Sequence, residues 1–251
     1  MISEKNEEVA NAVTSIAVIS DIHSNREALK AVLVDINQQK IERVYCTGDL
    51  VGYGPFPNEV IDMIRQQNIP TVMGNYDDGV GNMRFICGCD YKSEEEQALG
   101  ERSIAWTKEH TTEENKEFLR NLPSQIRFTV GSTKVLLVHG SPERLNEYLY
   151  EDAPTDYLTE LIEKSDADVL VCGHTHKPFF KQIDDKHIVN AGSVGKPKHG
   201  DPMAAYVIIK FGEEIEVEIR KVKYDVEAAA GAIEESELPN EFADLIRLGQ
   251  G

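Results

Sequence analysis

The chain is predicted to be an α/β protein, on three observations. Short apolar runs such as Ser15–Ser20 and Val169–Val171 alternate with segments whose apolar residues recur at helical spacing. Five such runs end at once in side chains able to bind a metal: Asp21 and His23, Asp49, Asn75, His139, and the pair His174 and His176. Finally, 251 residues with 41% apolar content suit one large α/β domain or two small ones. The expected organisation is a flexible tail over 1–13 and one domain over 14–251.

Bulk charge narrows the function classes. Forty-four acidic against 26 basic residues give a net charge of −18. That argues against extended nucleic acid and against an anionic membrane surface, both of which need a basic patch. A small phosphorylated substrate stays open, because bound cations reverse the field locally. No apolar run is long enough to span a bilayer, and residues 1–11 lack a signal peptide's basic start and apolar middle. A cytoplasmic protein is expected. Cys46 and Cys172 end apolar runs and read as buried reduced thiols. Cys87-Gly88-Cys89 could hold a metal or redox pair, but no second pair completes a zinc site.

In chain order, Ser15–Ser20 is a buried strand that delivers Asp21 and His23. Ser24 and Glu27 have capping-box spacing, and Leu29, Val32, Leu33 and Ile36 form one helical face. Arg43–Cys46 is a strand leading to Gly48-Asp49. Gly52, Gly54, Pro55 and Pro57 stiffen the loop before a helix over Asn58–Gln67. Pro70–Met73 is a third strand, followed by Gly74-Asn75-Tyr76-Asp77.

Asp78–Leu122 breaks this rhythm and reads as a helical cap beside the site. Its helices are expected over Ser93–Glu109 and Thr112–Asn121, with Thr111 and Glu114 as a capping box and Trp106 packing the cap onto the body. A hairpin follows, Gln125–Val130 and Lys134–Val138, ending in His139. A helix over Pro154–Lys164 leads to Val169–Val171 and Gly173-His174-Thr175-His176. Strands Phe179–Ile183 and His187–Val189 precede the loop Asn190–Pro202. Strands Ala204–Phe211 and Ile215–Val222 and two short helices within Asp225–Leu248 complete the chain.

Strand ends bring distant residues to one sheet edge. Asp21, His23, Asp49, Asn75, His139, His174 and His176 mix imidazole, carboxylate and amide oxygen. Such a set suits Mn, Fe, Zn or Ni in a hydrolytic centre better than a thiolate-rich structural zinc. Two cations about 3.5–4 Å apart could clamp a phosphate and generate a hydroxide nucleophile, with Asp49 as the natural bridge between them.

In order and strand context, Asp21-x-His23, Gly48-Asp49, Gly74-Asn75-x-Asp77, His139 and Gly173-His174-x-His176 resemble the five motifs of the calcineurin-like metallophosphoesterases. The match runs from about Ser15 to Phe211. The resemblance implies a four-layer αββα sandwich with two divalent ions. It assigns Asp21, His23 and His176 to one ion, Asn75, His139 and His174 to the other, and Asp49 between them. The compact size and the loop Asn190–Pro202 look like the small bacterial and archaeal phosphodiesterase branch.

One position departs from the pattern. Many family members carry histidine where this chain has Tyr76, and that histidine is linked to protonating the leaving group. Asp49, Asn75, Tyr76 and Asp77 are the candidate catalytic residues. Tyr76 either lines the pocket and donates a hydrogen bond, or simply packs. Asn75, Lys196, Lys198 and His199 are candidates for holding substrate phosphate, with a solvated loop as the alternative for the last three. His110 and His187 read as structural. The expected activity is hydrolysis of phosphodiesters, activated phosphoesters or nucleotide phosphoanhydrides. The alternatives are a dinucleoside polyphosphate hydrolase, a phosphomonoesterase, or an interaction module that keeps the fold without turnover. A homo-oligomer is compatible with the sequence.

Overall fold

The computed structural model describes residues 4–8, 15–84 and 93–250. Cys87, Cys89 and most of the expected tail lie outside these. Two sheets form the body. The larger has six strands in the order β1 (Glu4–Glu8), β4 (Gln125–Val130), β5 (Thr133–Val138), β6 (Val169–Cys172), β8 (Lys186–Asn190), β7 (Phe179–Ile183). The smaller has four, in the order β10 (Ile215–Val222), β9 (Ala204–Phe211), β2 (Ser15–Ile19), β3 (Val44–Cys46).

The period-2 alternation of strand side chains builds the layers. In β2, Ile16 and Val18 face the other sheet, meeting Val135, Leu137, Val169 and Val171 from β5 and β6. Ala17 and Ile19 point the opposite way. There they join Leu29, Val32 and Ile36 of α1 (Arg26–Gln38) and Val60, Ile61 and Ile64 of α2 (Pro57–Gln66). On the far side, Leu136, Val138, Leu170 and Cys172 pack on Leu158, Leu161 and Ile162 of α6 (Thr155–Lys164). The layers run helix, sheet, sheet, helix, as the family resemblance implies. Strands buried on both faces explain why Val169–Val171 reads as a continuous apolar run rather than an alternating one.

The cap region supplies α3 (Asn75–Gly81), α4 (Glu94–His110) and α5 (Glu113–Arg120). The chain ends in α7 (Val226–Glu234) and α8 (Glu241–Leu248). Trp106 of α4 packs against the cluster of Ile233, Phe242 and Ile246 from these last two helices. Among the described residues, no helix is long and apolar enough to cross a membrane.

Four details differ from the sequence reading. Within the expected tail, residues 4–8 pair in parallel with β4. The segment Pro70–Met73 makes only a single parallel bridge, Cys46 to Thr71. Proline has no N–H to extend that ladder, and α3 begins two residues after Met73. The N-cap of α1 is Asn25, whose side chain accepts from Ala28 N–H, rather than Ser24. The N-cap of α5 is Thr112, accepting from Asn115 N–H, rather than Thr111.

Candidate metal centre

The loops after β2, β3, β5 and β6, with the start of α3, converge at one edge of the two sheets. All seven proposed ligands are buried there. They form two triads, Asp21 with His23 and His176, and Asp49 with His139 and His174, whose donor atoms in each triad lie within 4.8 Å of one another.

The hydrogen bonds on the outer side of each ring fix its tautomer. A carbonyl oxygen only accepts, so the nitrogen facing it must carry the proton. His23 Nδ1 faces the Val51 carbonyl at 3.0 Å, His139 Nδ1 that of Thr47 at 2.8 Å, and His176 Nδ1 that of Lys196 at 2.5 Å. Each ring therefore turns an unprotonated Nε2 inward. His23 Nε2 and His176 Nε2 then lie 3.1 Å apart, lone pair towards lone pair, with His176 Nε2 also 3.3 Å from Asp21 Oδ1. In the second triad, His139 Nε2 lies 2.9 Å from Asn75 Oδ1, 3.2 Å from His174 Nδ1 and 3.5 Å from Asp49 Oδ2. Asp49 Oδ2 is also 3.7 Å from His23 Nε2, so one carboxylate oxygen reaches both triads. In the first triad these acceptors, with no protons between them, repel unless a cation sits among them. The buried Asp21 Oδ1, which finds no hydrogen-bond donor, makes the same point. The donor set fits two divalent ions.

Charge states agree with this. Burial, above all, holds the His23 and His139 imidazoles below their usual range, and lowers His176 to about 4 and His174 to about 2. All four are neutral near pH 7, the form that binds metal. Burial would raise the Asp21 carboxyl, but as the pH falls His176 becomes cationic beside it first and holds the carboxyl well below the usual carboxylate range. Its Oδ2 accepts from Ser20 Oγ at 2.6 Å and from His174 N–H at 3.0 Å.

Local backbone geometry aims these side chains. Asp21, His23, Asp49, His174 and His176 all have φ between 49° and 65°, the left-handed region that side-chain-bearing residues rarely adopt. Cross-loop hydrogen bonds hold them there: Asp21 N–H to Gly48, Ile22 and His23 N–H to Asp49, Ser24 N–H to Leu50. Gly173 packs so tightly on Ser20 Oγ and Asp21 Oδ2 that a Cβ would strike both.

The remaining candidates separate by position. Tyr76 is buried and lines the cavity above the centre, with its ring edge-on to His23 at 5.4 Å and tilted against Tyr53 at 4.7 Å. Its N–H donates to Asp49 Oδ1 at 2.8 Å. Asp77 lies behind the site. Its carboxylate accepts from the N–H groups of Asp49, Gly74 and Leu50, each at 2.9 Å, and so positions the Asp49 loop. Lys196 and Lys198 line the cavity, with Lys196 Nζ 4.2 Å from the Tyr53 ring. His199 does not line it; its Nε2 lies 3.2 Å from Asp201 Oδ1.

His110 stacks on Trp106 at 3.8 Å, and His187 lies parallel to Phe180 at 5.7 Å, both away from the centre. Burial raises the thiol pKa of Cys46 and takes that of Cys172 up to about 12, which keeps both inert.

The cavity over the two triads has a volume of about 700 Å³. Part of its wall is not anticipated from the sequence: Tyr53, Tyr148, Tyr150 and Lys177, and Glu241, Phe242 and Asp244 of α8. The Gly52-Tyr53-Gly54 context is the one local signal that could have marked Tyr53. The cap contributes Glu96, Leu99 and Gly100 of α4.

With this geometry in place, comparison with known proteins becomes informative. Residues 15–214 match the calcineurin-like phosphoesterase superfamily domain. An uncharacterized protein of Methanocaldococcus jannaschii is 36% identical over 94% of this chain and 98% of its own length. A probable metallophosphoesterase of Methanothermobacter thermautotrophicus is 34% identical over 39% of this chain and 52% of its own. The crystal structure of a metallophosphoesterase from Sphaerobacter thermophilus superposes with a TM-score of 0.75 at 28% identity, covering 94% of this chain and 99% of that one. A hypothetical protein from Pyrococcus horikoshii shares the fold, with a TM-score of 0.80 at 24% identity over 94% of this chain and 98% of its own.

Proposed function

Since the chain belongs to the calcineurin-like phosphoesterase superfamily, we propose that it is a dinuclear metal-dependent phosphoesterase acting on a small phosphorylated substrate. The observation that carries this reading is the pair of buried triads sharing Asp49 Oδ2, with unprotonated nitrogens turned inward.

Asp21, His23 and His176 would hold one divalent ion, Asn75, His139 and His174 the other, and Asp49 would bridge. When bound, such ions polarise phosphoryl oxygens and lower the pKa of an attacking water. The chain's own residues do the rest. The Val51, Thr47 and Lys196 carbonyls keep three imidazoles in the ligating tautomer. Lys196 and Lys198 give the cavity wall positive charge that draws in a phosphate dianion or diester. Asp77 fixes the backbone from which Asp49 projects.

Leaving-group preference follows from Tyr76. A simple alkoxide leaves poorly without a proton, and general acid catalysis there is worth typically ~10²–10⁴-fold. A tyrosine packed edge-on to His23 is a poor substitute for an imidazole donor. The preferred substrates are therefore phosphodiesters, activated esters or phosphoanhydrides rather than alkyl monoesters.

The test combines elemental analysis with turnover on phosphomonoesters, diesters and dinucleotides across Mn, Fe, Zn and Ni. Two ions per saturated chain are expected, falling in Asp49→Asn together with activity. A single ion in fully active protein would refute the dinuclear reading, and absence of turnover with every metal would favour a binding module.

A further inference from the structure

The stretch Tyr148-Leu149-Tyr150 lies in the loop between β5 and α6. Leu149 is 1% exposed and packs into the core beneath α6. Its two neighbours point the other way and both line the cavity over the metal centre. The Tyr148 ring sits 4.1 Å from that of His174, and the Tyr150 ring lies nearly parallel to Tyr148, 6.0 Å away at 12°. Tyr150 is 40% exposed, unusual for a large aromatic residue. The loop is braced by Tyr157, which donates to Glu147 at 2.5 Å, and by Ser141 Oγ, which accepts from Glu143 and Arg144 N–H. A fixed aromatic surface thus begins at a proposed metal ligand and runs outward.

Other walls of the cavity have different chemistry. Lys177 Nζ is 5.8 Å from the Tyr150 ring, and Lys196 and Lys198 are also cavity-lining. Helices α4 and α8 add the carboxylates of Glu96, Glu241 and Asp244. Carboxylates accept hydrogen bonds from hydroxyl and amino groups and repel additional phosphates. The volume, about 700 Å³, is far more than a phosphate needs and is in the range that encloses a larger organic ligand.

Resting on the phosphoesterase reading above, we propose that Tyr148 and Tyr150 form a stacking subsite for the base of a nucleotide substrate. The phosphate lies at the metal centre, and the carboxylates of the α4 and α8 walls take the hydroxyl and amino hydrogens of the nucleoside. The substrate class this arrangement takes is a nucleoside phosphodiester. Tyr150 sets specificity through binding and takes no part in the chemical step.

The experiment uses the manganese-loaded protein and two probes that differ only in the base, AMP and ribose 5-phosphate, with calorimetric Kd values. Base stacking predicts that AMP binds on the order of ten-fold more tightly. Tyr150→Ala should abolish that difference and Tyr150→Phe should retain it, with melting curves confirming that both variants fold. Equal or undetectable binding of both probes to wild type, or a preference that survives in Tyr150→Ala, overturns the subsite. Turnover of bis-p-nitrophenyl phosphate is measured on the same samples. Turnover without a base preference removes the subsite alone; a base preference without turnover removes the enzyme reading and leaves the subsite standing.

Discussion

Gly195→Ala changes no proposed ligand, yet it should weaken the metal centre. A Cβ on Gly195 would overlap the Ile22 carbonyl oxygen, 2.7 Å from its carbon and 2.8 Å from Asn25 Cβ, where 3.0 Å is the closest approach real Cβ atoms make. The obstacle is mostly backbone, so the loop Asn190–Pro202 must withdraw by about 1 Å, an overpacking cost of typically ~1–3 kcal/mol. That loop is tied to the end of β2 by Val194 N–H to Ser20 and Gly195 N–H to Asp21, and Ser193 Oγ donates to the Asp21 carbonyl. It also supplies the Lys196 carbonyl that fixes His176. Losing one or two of these buried bonds adds about 1 kcal/mol each. The sum is a loss of roughly 2–5 kcal/mol in metal-free stability. Separately, release of the His176 ring should lower metal affinity by about 10–100-fold, the usual effect of removing a hydrogen bond behind a ligand. Urea denaturation of metal-free protein reads the first effect, and metal titration against a competing chelator reads the second. A variant within 1 kcal/mol of wild type and with unchanged affinity would show that the loop does not brace the centre.

Three further outcomes are expected. Gly231→Ala, in the middle of α7 where a Cβ meets nothing within 4 Å, should raise stability by about 0.5–1 kcal/mol in the same urea assay. Metal-free protein should lose stability as pH falls from 6.5 through about 4, measured by thermal melts. The folded pKa values of His176 and His174 are depressed, so the unfolded chain binds more protons in that window. Saturating Mn²⁺ or Zn²⁺ should raise the melting temperature, by the equivalent of about 2.7 kcal/mol for each site at a hundred-fold excess over its Kd, and a chelator should reverse it; an unchanged melt would count against metal binding to the native state.

What the sequence discloses about the site follows the physics of each residue. The seven proposed ligands are legible because strands bury continuous apolar runs and end abruptly in polar loops, so residue type and position coincide. The cavity walls are not. Tyr148 and Tyr150 belong to a loop without regular structure, where only the burial of Leu149 between them reveals which way they face. Glu241 and Asp244 sit on a helix whose docking depends on Phe242 and Ile246 meeting Trp106 and Tyr53, contacts distant in sequence. His199 shows the reverse failure. It shares a loop with Lys196 and Lys198, but Asp201 two residues on draws its ring away. Asp77 follows Asn75 and Tyr76 directly, yet two residues along a helix, roughly 200° of rotation, carry it behind the site, onto three backbone N–H groups.

The backbone of the ligand loops explains how the proposed ligands are held in place. Each left-handed residue costs of order 1 kcal/mol or more, and five of the seven proposed ligands adopt that conformation. Such strain persists only where the surroundings over-determine it. Here the loops after β2 and β3 grip one another through Asp21, Ile22, His23 and Ser24, whose N–H groups all donate to the Gly48–Leu50 segment. Asp77 binds that segment from behind, and the Asn190–Pro202 loop binds Ser20 and Asp21 from the other side. The ligands are therefore placed by a mesh of main-chain hydrogen bonds that does not involve their side-chain donor atoms. A cation held among them would relieve the lone-pair repulsion. Loops held this firmly would favour ion affinity, because little ordering entropy would be left to lose on binding.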